Sequence, residues 1–322
     1  MRRSYRLALA ILAFGLGFSL VAPPMPGATT KPAKQGKKQQ QKQQAPAPTP
    51  TDTTATPTPV IPIIPPAPVD PVVTLSYDNA DGTKSSVKAN RDALAVLAST
   101  LNTYSDLKGL ELSGTESTET GSTGKLIKIT HKFTFTWFGP NFFKAEQHED
   151  DSGKLVLQAG STGKDLYSYD KLHETYSTAP APEDRMDPAA DRVAAGIFND
   201  ATTIAGLPMV FMVAKDPKMT AIRMFQATKV ELGTDTPVGD TTCKAIKFTQ
   251  ATGTTTLLVD PKTHLLRRVE SSGTDPAKPD TQINRAYDYA LSAINGDLGA
   301  PNFAWTPPAT AKVASTPVAA TP

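Results

Sequence analysis

The sequence predicts an α+β protein: one large antiparallel sheet with its helices segregated onto one face. Three observations carry this. The stretch "KITHKFTFTWF" (128–138) alternates polar and apolar residues, with Ile127, Ile129, Phe133, Phe135 and Trp137 on one parity. A two-residue period marks a strand with one greasy and one wet face. Strand-like runs of this kind are separated by short turn signals such as Asp150-Asp151-Ser152-Gly153 and Ser161-Thr162-Gly163, and short connections join antiparallel neighbours. Helical spacing of apolar residues is confined to 91–104 and 190–214.

The N-terminus sets the compartment. Arg2, Arg3 and Arg6 precede the uncharged apolar run Leu7 to Ala22, the layout of a secretory signal peptide, and Gly27 and Ala28 offer a cleavage point. The run is short for a membrane span of about 20 residues. Residues 1–28 therefore read as a cleaved signal or as a retained N-terminal anchor, and both make the protein exported: periplasmic, free or held at the inner membrane. Residues 29–71 hold eleven prolines and six glutamines. Such a segment cannot bury enough surface to offset its ordering entropy, so it is expected to be a disordered linker. Proline density stiffens it, giving a reach on the order of 100 Å. Its lysine-rich part "TTKPAKQGKKQQQKQQ" carries no acid and suits a membrane or cell-wall surface. A net charge of only +2 gives no nucleic-acid footprint. The tail, 307–322, is again expected to be disordered.

That leaves 72–306 as one domain. Asn90 is a plausible N-cap for a helix in which Leu94, Leu97, Leu101 and Tyr104 recur at helical spacing. About six strands follow, from "LKGLELSGTEST" to "ETYSTA". Asp187-Pro188 then opens a second helical region, with Ile197 and Phe198 on its apolar stripe. Gly206 interrupts it before the nearly all-apolar "LPMVFMVA", and Asp216-Pro217 starts a further helix. Strands return from "ATKVELG" onward; Asp260-Pro261-Lys262-Thr263 makes a tight hairpin, and "QINRAYDYALSAI" closes the set.

Catalytic chemistry finds no foothold. "GSTGK" occurs at 121–125 and 160–164, but neither copy has the leading glycine or the following Ser/Thr of a phosphate-binding loop, and both lie between strands. The four histidines have no pair at ligand spacing, and His148 to Asp151 ("HEDD") reads as a solvated turn. His131 shares the greasy parity of its strand and is expected to be satisfied by hydrogen bonds at the sheet's rim. The lone Cys243 reads as a small buried hydrophobe. No nucleophile motif, metal site or cofactor motif is present, so the expected protein is not an enzyme. The apolar excess has two readings. Either the helices pack the sheet face solid, or the sheet curls into a trough lined by these stripes, with Met209, Phe211 and Met212 as adaptable contacts.

Several segments, in order, resemble the periplasmic LolA/LolB lipoprotein-carrier superfamily. They are "LNTYSDLKGLELSGTEST", "WFGPNFFKAEQ", "GKDLYSYDKLHETYSTAPAP", "LLVDPKTHLLRRVE" and "NFAWTPPATAKV". The resemblance implies an open half-barrel: a large curved antiparallel sheet whose concave face is covered by helices. It implies that Ile127, Ile129, Phe133, Phe135 and Trp137 line the inner face, and that Ile197, Phe198, Leu207, Met209, Phe211 and Met212 belong to a lid. The function it implies is non-enzymatic binding of a lipid acyl chain or lipidated partner protein, in lipid or lipoprotein trafficking. The alternative is a membrane-tethered sensor or protein-interaction module of the same fold. The long linker and the absence of a lipid-attachment cysteine depart from the usual soluble shuttle.

Overall fold

The computed structural model describes residues 71–78, 83–122, 124–183, 192–214, 216–275, 278–295 and 303–314. The expected signal segment and nearly all of the expected linker lie outside them. The sheet is built from β1 (Val72–Asp78), β2 (Lys84–Asn90), β3 (Gly109–Ser122), β4 (Lys125–Phe138), β5 (Phe142–Glu149), β6 (Leu155–Thr162), β7 (Asp165–Asp170) and β8 (Thr175–Pro180). It continues with β9 (Lys229–Leu232), β10 (Thr236–Val238), β11 (Thr241–Thr249), β12 (Gly253–Val259), β13 (Leu266–Asp275), β14 (Lys278–Ile294) and β15 (Lys312–Val313). The helices are α1 (Arg91–Asp106), α2 (Arg192–Ala205), α3 (Leu207–Val213) and α4 (Pro217–Met224).

All the strands join one unclosed sheet in the order β1-β2-β9-β11-β12-β13-β14-β3-β4-β5-β6-β7-β8-β15, with β10 beside β11. The long strands β14 and β3 pair antiparallel along most of their length and hold the two halves together. Two contacts, β2 with β9 and β8 with β15, are parallel, so the sheet is mixed rather than wholly antiparallel.

The architecture is the expected α+β open half-barrel, with two differences. A hairpin, β1–β2, precedes the first helix. Its serines and lysines mask the period, and only Tyr77, Val87 and Ala89 turn fully inward. The tail expected to be disordered is paired as far as Ala314, whose N–H donates to the Tyr176 carbonyl at 2.7 Å. Trp305 holds that segment down: its ring stacks on Tyr167 at 4.3 Å, and its Nε1–H donates to Gln158 Oε1 at 3.0 Å.

Helix placement follows from local chemistry. Asn90 Oδ1 accepts from the N–H groups of Asp92 and Ala93 at 2.9 and 3.0 Å, starting α1 at its first free amides. α1 packs on β2, β9 and β11, whereas α2 crosses β4 to β8. Gly206, at φ 66°, breaks the expected 190–214 helix in two, and α3 wedges between α1, α2 and α4.

On the inner face, Gly114 lies in register between Phe133 and Tyr289, whose rings meet edge to face at 5.9 Å. A Cβ at Gly114 would stand 2.0 Å from the Asp288 carbonyl oxygen and 2.6 Å from the Phe133 ring. Gly114→Ala should therefore lower stability by about 1–3 kcal/mol, seen as a lower urea midpoint at unchanged slope.

Candidate functional site

The candidate site is the trough formed by the sheet's concave face and its helices. Strand parity sends Phe133, Phe135 and Trp137 inward, where all three are buried. Ile197 and Phe198 of α2 are buried in the same apolar cluster, together with Leu207, Met209, Phe211 and Met212 of α3. The expected lining and lid thus meet. Ile129 is only half-buried, and Ile127 is 62 % exposed. The expectation that Ile127 lines the inner face needs correction: the β3–β4 hairpin runs beyond the helices, so the right parity finds nothing to pack against.

The helices fill the trough. Every residue of α3 is buried. Phe211 meets Tyr104 of α1 edge to face at 5.4 Å. A cleft at the end of α1, lined in part by Tyr104, Leu266 and Tyr289, has a volume of about 50 Å³. That is room for about three or four waters, not for a hydrocarbon tail. Of the two readings of the apolar excess, solid packing describes this state.

A few polar contacts pin the helices to the sheet. Ser168 Oγ donates to Asp200 Oδ2 of α2 at 2.5 Å, and the Tyr287 hydroxyl donates to the Thr203 carbonyl at 2.8 Å. Burial raises the Asp200 carboxyl above its usual range; the Ser168 bond opposes this and the nearby Asp170 charge adds to it. Gly206 is tight as well as left-handed, since a Cβ there would lie 2.4 Å from the Tyr289 hydroxyl.

The sequence reading missed a charged row on the same face. Glu116 sits in register between His131 and Tyr287 and is only 2 % exposed. Its carboxylate accepts from Thr118 Oγ1 at 2.5 Å, lies 3.1 Å from His131 Nδ1, and pairs with Arg285 Nε at 3.3 Å. His131 is satisfied in the expected way. Glu116 was legible in principle, being the one charged residue on the parity of Leu110 and Leu112. Desolvation opposes its ionisation, but His131, Arg285 and Thr118 together hold the carboxyl below its ordinary value.

Among the described residues, no cluster of three or more His, Cys, Asp or Glu is placed to hold a metal ion. Cys243 is buried on the outer face against Ala245 and Leu258, as a small hydrophobe. No helix of the described residues is long and apolar enough to cross a membrane.

The model of the family described as "Predicted periplasmic protein (DUF2092)" matches residues 93–315. No curated protein matches the chain. Among solved structures, an uncharacterized conserved protein from Thermus thermophilus is similar at 10 % identity and TM-score 0.37, over 70 % of this chain and 99 % of that one. The Pseudomonas aeruginosa MucA/MucB complex aligns at 12 % identity and TM-score 0.36, over 70 % of this chain and 64 % of the other. The LolA superfamily protein NE2245 from Nitrosomonas europaea is similar at 11 % identity and TM-score 0.29, over 65 % and 97 %. Likeness at this level says nothing about ligands.

Because Glu116 is depressed in the folded state, its contribution is present at neutral pH and is lost as the pH falls through the acid range. Glu116→Gln should cost about 2 kcal/mol at pH 7 and flatten the acid limb of stability against pH, read by urea unfolding across pH 3–7.

Proposed function

The chain belongs to the DUF2092 family of predicted periplasmic proteins, and from that premise we propose that it is an exported, non-enzymatic binding protein for an amphiphile, a lipid acyl chain or a lipidated partner. Residues 1–28 direct export, and residues 29–71 tether or space the domain from a membrane surface.

One observation carries the reading: the trough is occupied by a short, wholly apolar segment of the chain itself. α3 has seven residues, well below the length at which an isolated helix is stable in water, so its form depends on burial. It lacks a side-chain cap at Gly206, whose positive φ makes a corner on one side, and the Asp216 cap of α4 stands on the other. Its methionines and phenylalanine repack readily around a different apolar surface. A hydrocarbon tail is the natural substitute for such an occupant. Each buried methylene contributes about 0.8 kcal/mol, and displacing α3 costs part of the total.

The working picture is a two-state trough, closed by α3 or opened around a tail, and the pins to the sheet set the balance. A half-buried Asp200 whose carboxyl is raised in the folded state loses stability as the pH rises through the carboxylate range, so at pH 7 this pin favours release.

Native mass spectrometry of protein purified from a periplasm should show co-purifying lipid, and a fluorescent fatty acid should bind saturably. Protein that carries no lipid and ignores the probe at all concentrations sinks the proposal. Asp200→Asn, which keeps the Ser168 bond without the half-buried charge, should raise Tm by a few degrees and weaken probe uptake. Equal uptake would separate Asp200 from the opening step.

A further inference from the structure

The sheet's two ends differ. At one end β8 is guarded: β15 pairs with it at Thr175 and Tyr176, and the strand closes on Pro180. Trp305 holds that guard in place through Tyr167 and Gln158. At the other end β1 is the last strand, and among the described residues no strand pairs with its outer side. Its sequence, "VVTLSYD", has neither lysine nor proline, the residues with which natural edge strands block unwanted pairing. A bare edge seven residues long is a template for another strand.

The ladder with β2 decides which backbone groups of β1 face outward. The Arg91 N–H donates to the Pro71 carbonyl at 2.8 Å, so residues 71 and 91 are a hydrogen-bonded pair. The same antiparallel register sets Val73 opposite Ala89, Leu75 opposite Val87 and Tyr77 opposite Ser85. Hydrogen-bonded pairs alternate, so these odd residues of β1 turn their N–H and C=O groups to β2. Thr74 and Ser76 turn theirs to the open side, and both residues are exposed. The odd side chains point to the core, where Tyr77 is buried but Val73 and Leu75 are only half-buried.

We propose that β1 is a self-association edge, taken by β1 of a second copy in antiparallel pairing about a two-fold axis through Leu75. Leu75 is the strand's midpoint, so this register uses its whole length. It sets Thr74 opposite Ser76 of the second copy, one outward-facing residue against another, and each such pair exchanges both backbone bonds. Leu75 meets its own counterpart at a non-hydrogen-bonded position, where side chains come closest. Val73 falls opposite Tyr77 of the second copy, so the half-buried apolar row of one sheet continues into the other. The preceding residues of the same chain suit this edge poorly. Their sequence, "VIPIIPPAPVDP" (60–71), has proline at 62, 65, 66, 68 and 71, and proline donates nothing to a ladder. Because β8 is guarded, β1 has no different edge to join, and the assembly closes as a dimer instead of growing into a fibre.

Sedimentation velocity of the full exported chain over a concentration series should show a reversible monomer–dimer equilibrium. Its Kd should be roughly 1–100 μM, the scale of a small interface. Thr74→Pro removes an outward donor but none of the bonds to β2. It should weaken the dimer more than about tenfold and leave the urea midpoint of the monomer where it was. Crosslinking tests the register separately. In a Cys243→Ala background, Leu75→Cys should give a disulfide-linked dimer under mild oxidation. Val73→Cys should not, because its own counterpart lies about 13 Å away along the strand, beyond the reach of a disulfide. A wild type that stays monomeric throughout the series overturns the proposal. So does a dimer that survives Thr74→Pro, or one in which Val73→Cys crosslinks as well as Leu75→Cys.

Discussion

An unclosed sheet with an apolar concave face must have that face covered, and this single constraint organises the molecule. A barrel would seal the face by joining its edges, but here β1 and β15 end the sheet apart. The inner strands spend their backbone groups on ladders with their neighbours, so side chains from elsewhere exclude water from the trough. The chain meets the demand with separate helical pieces: α1 over one half, α2 over the other, and the short α3 filling the middle. Because α3 is the smallest and most apolar piece, it is also the one whose place another apolar body takes most easily.

Polar groups inside the trough shape how firmly it stays shut. Glu116, Arg285, His131 and Thr118 form a self-satisfied row, and Arg285 lies next to Tyr287, which reaches α2 through the Thr203 carbonyl. Such a row ties the sheet's floor to the helix layer without leaving a charge unpaired. Asp200 is different, a half-buried carboxylate held by one hydroxyl. The satisfied row holds the floor in place, and Asp200 is the weaker pin.

Much of this was legible from residue order. The alternation from Ile127 to Trp137 gave the strand and its inward parity, and Asn90 marked the helix start to the residue. Other elements were not. The β1–β2 hairpin hides behind serines and lysines. The order in the tail comes from Trp305 finding Tyr167 across a long sequence separation. Parity alone also overreached at Ile127, because a period says which way a side chain points but not whether anything lies over it.

Residue order by itself determined the class of the fold, the segregation of strands from helices, the lack of catalytic motifs and the apolar character of the trough's lining. These depend on local spacing and composition, and local spacing is written in the chain. Only the tertiary structure decided that the trough is closed by α3 and that Glu116 is buried among compensating charges. Those facts depend on which distant strands become neighbours. A hydrogen bond or a void exists only once the fold has brought its sides together.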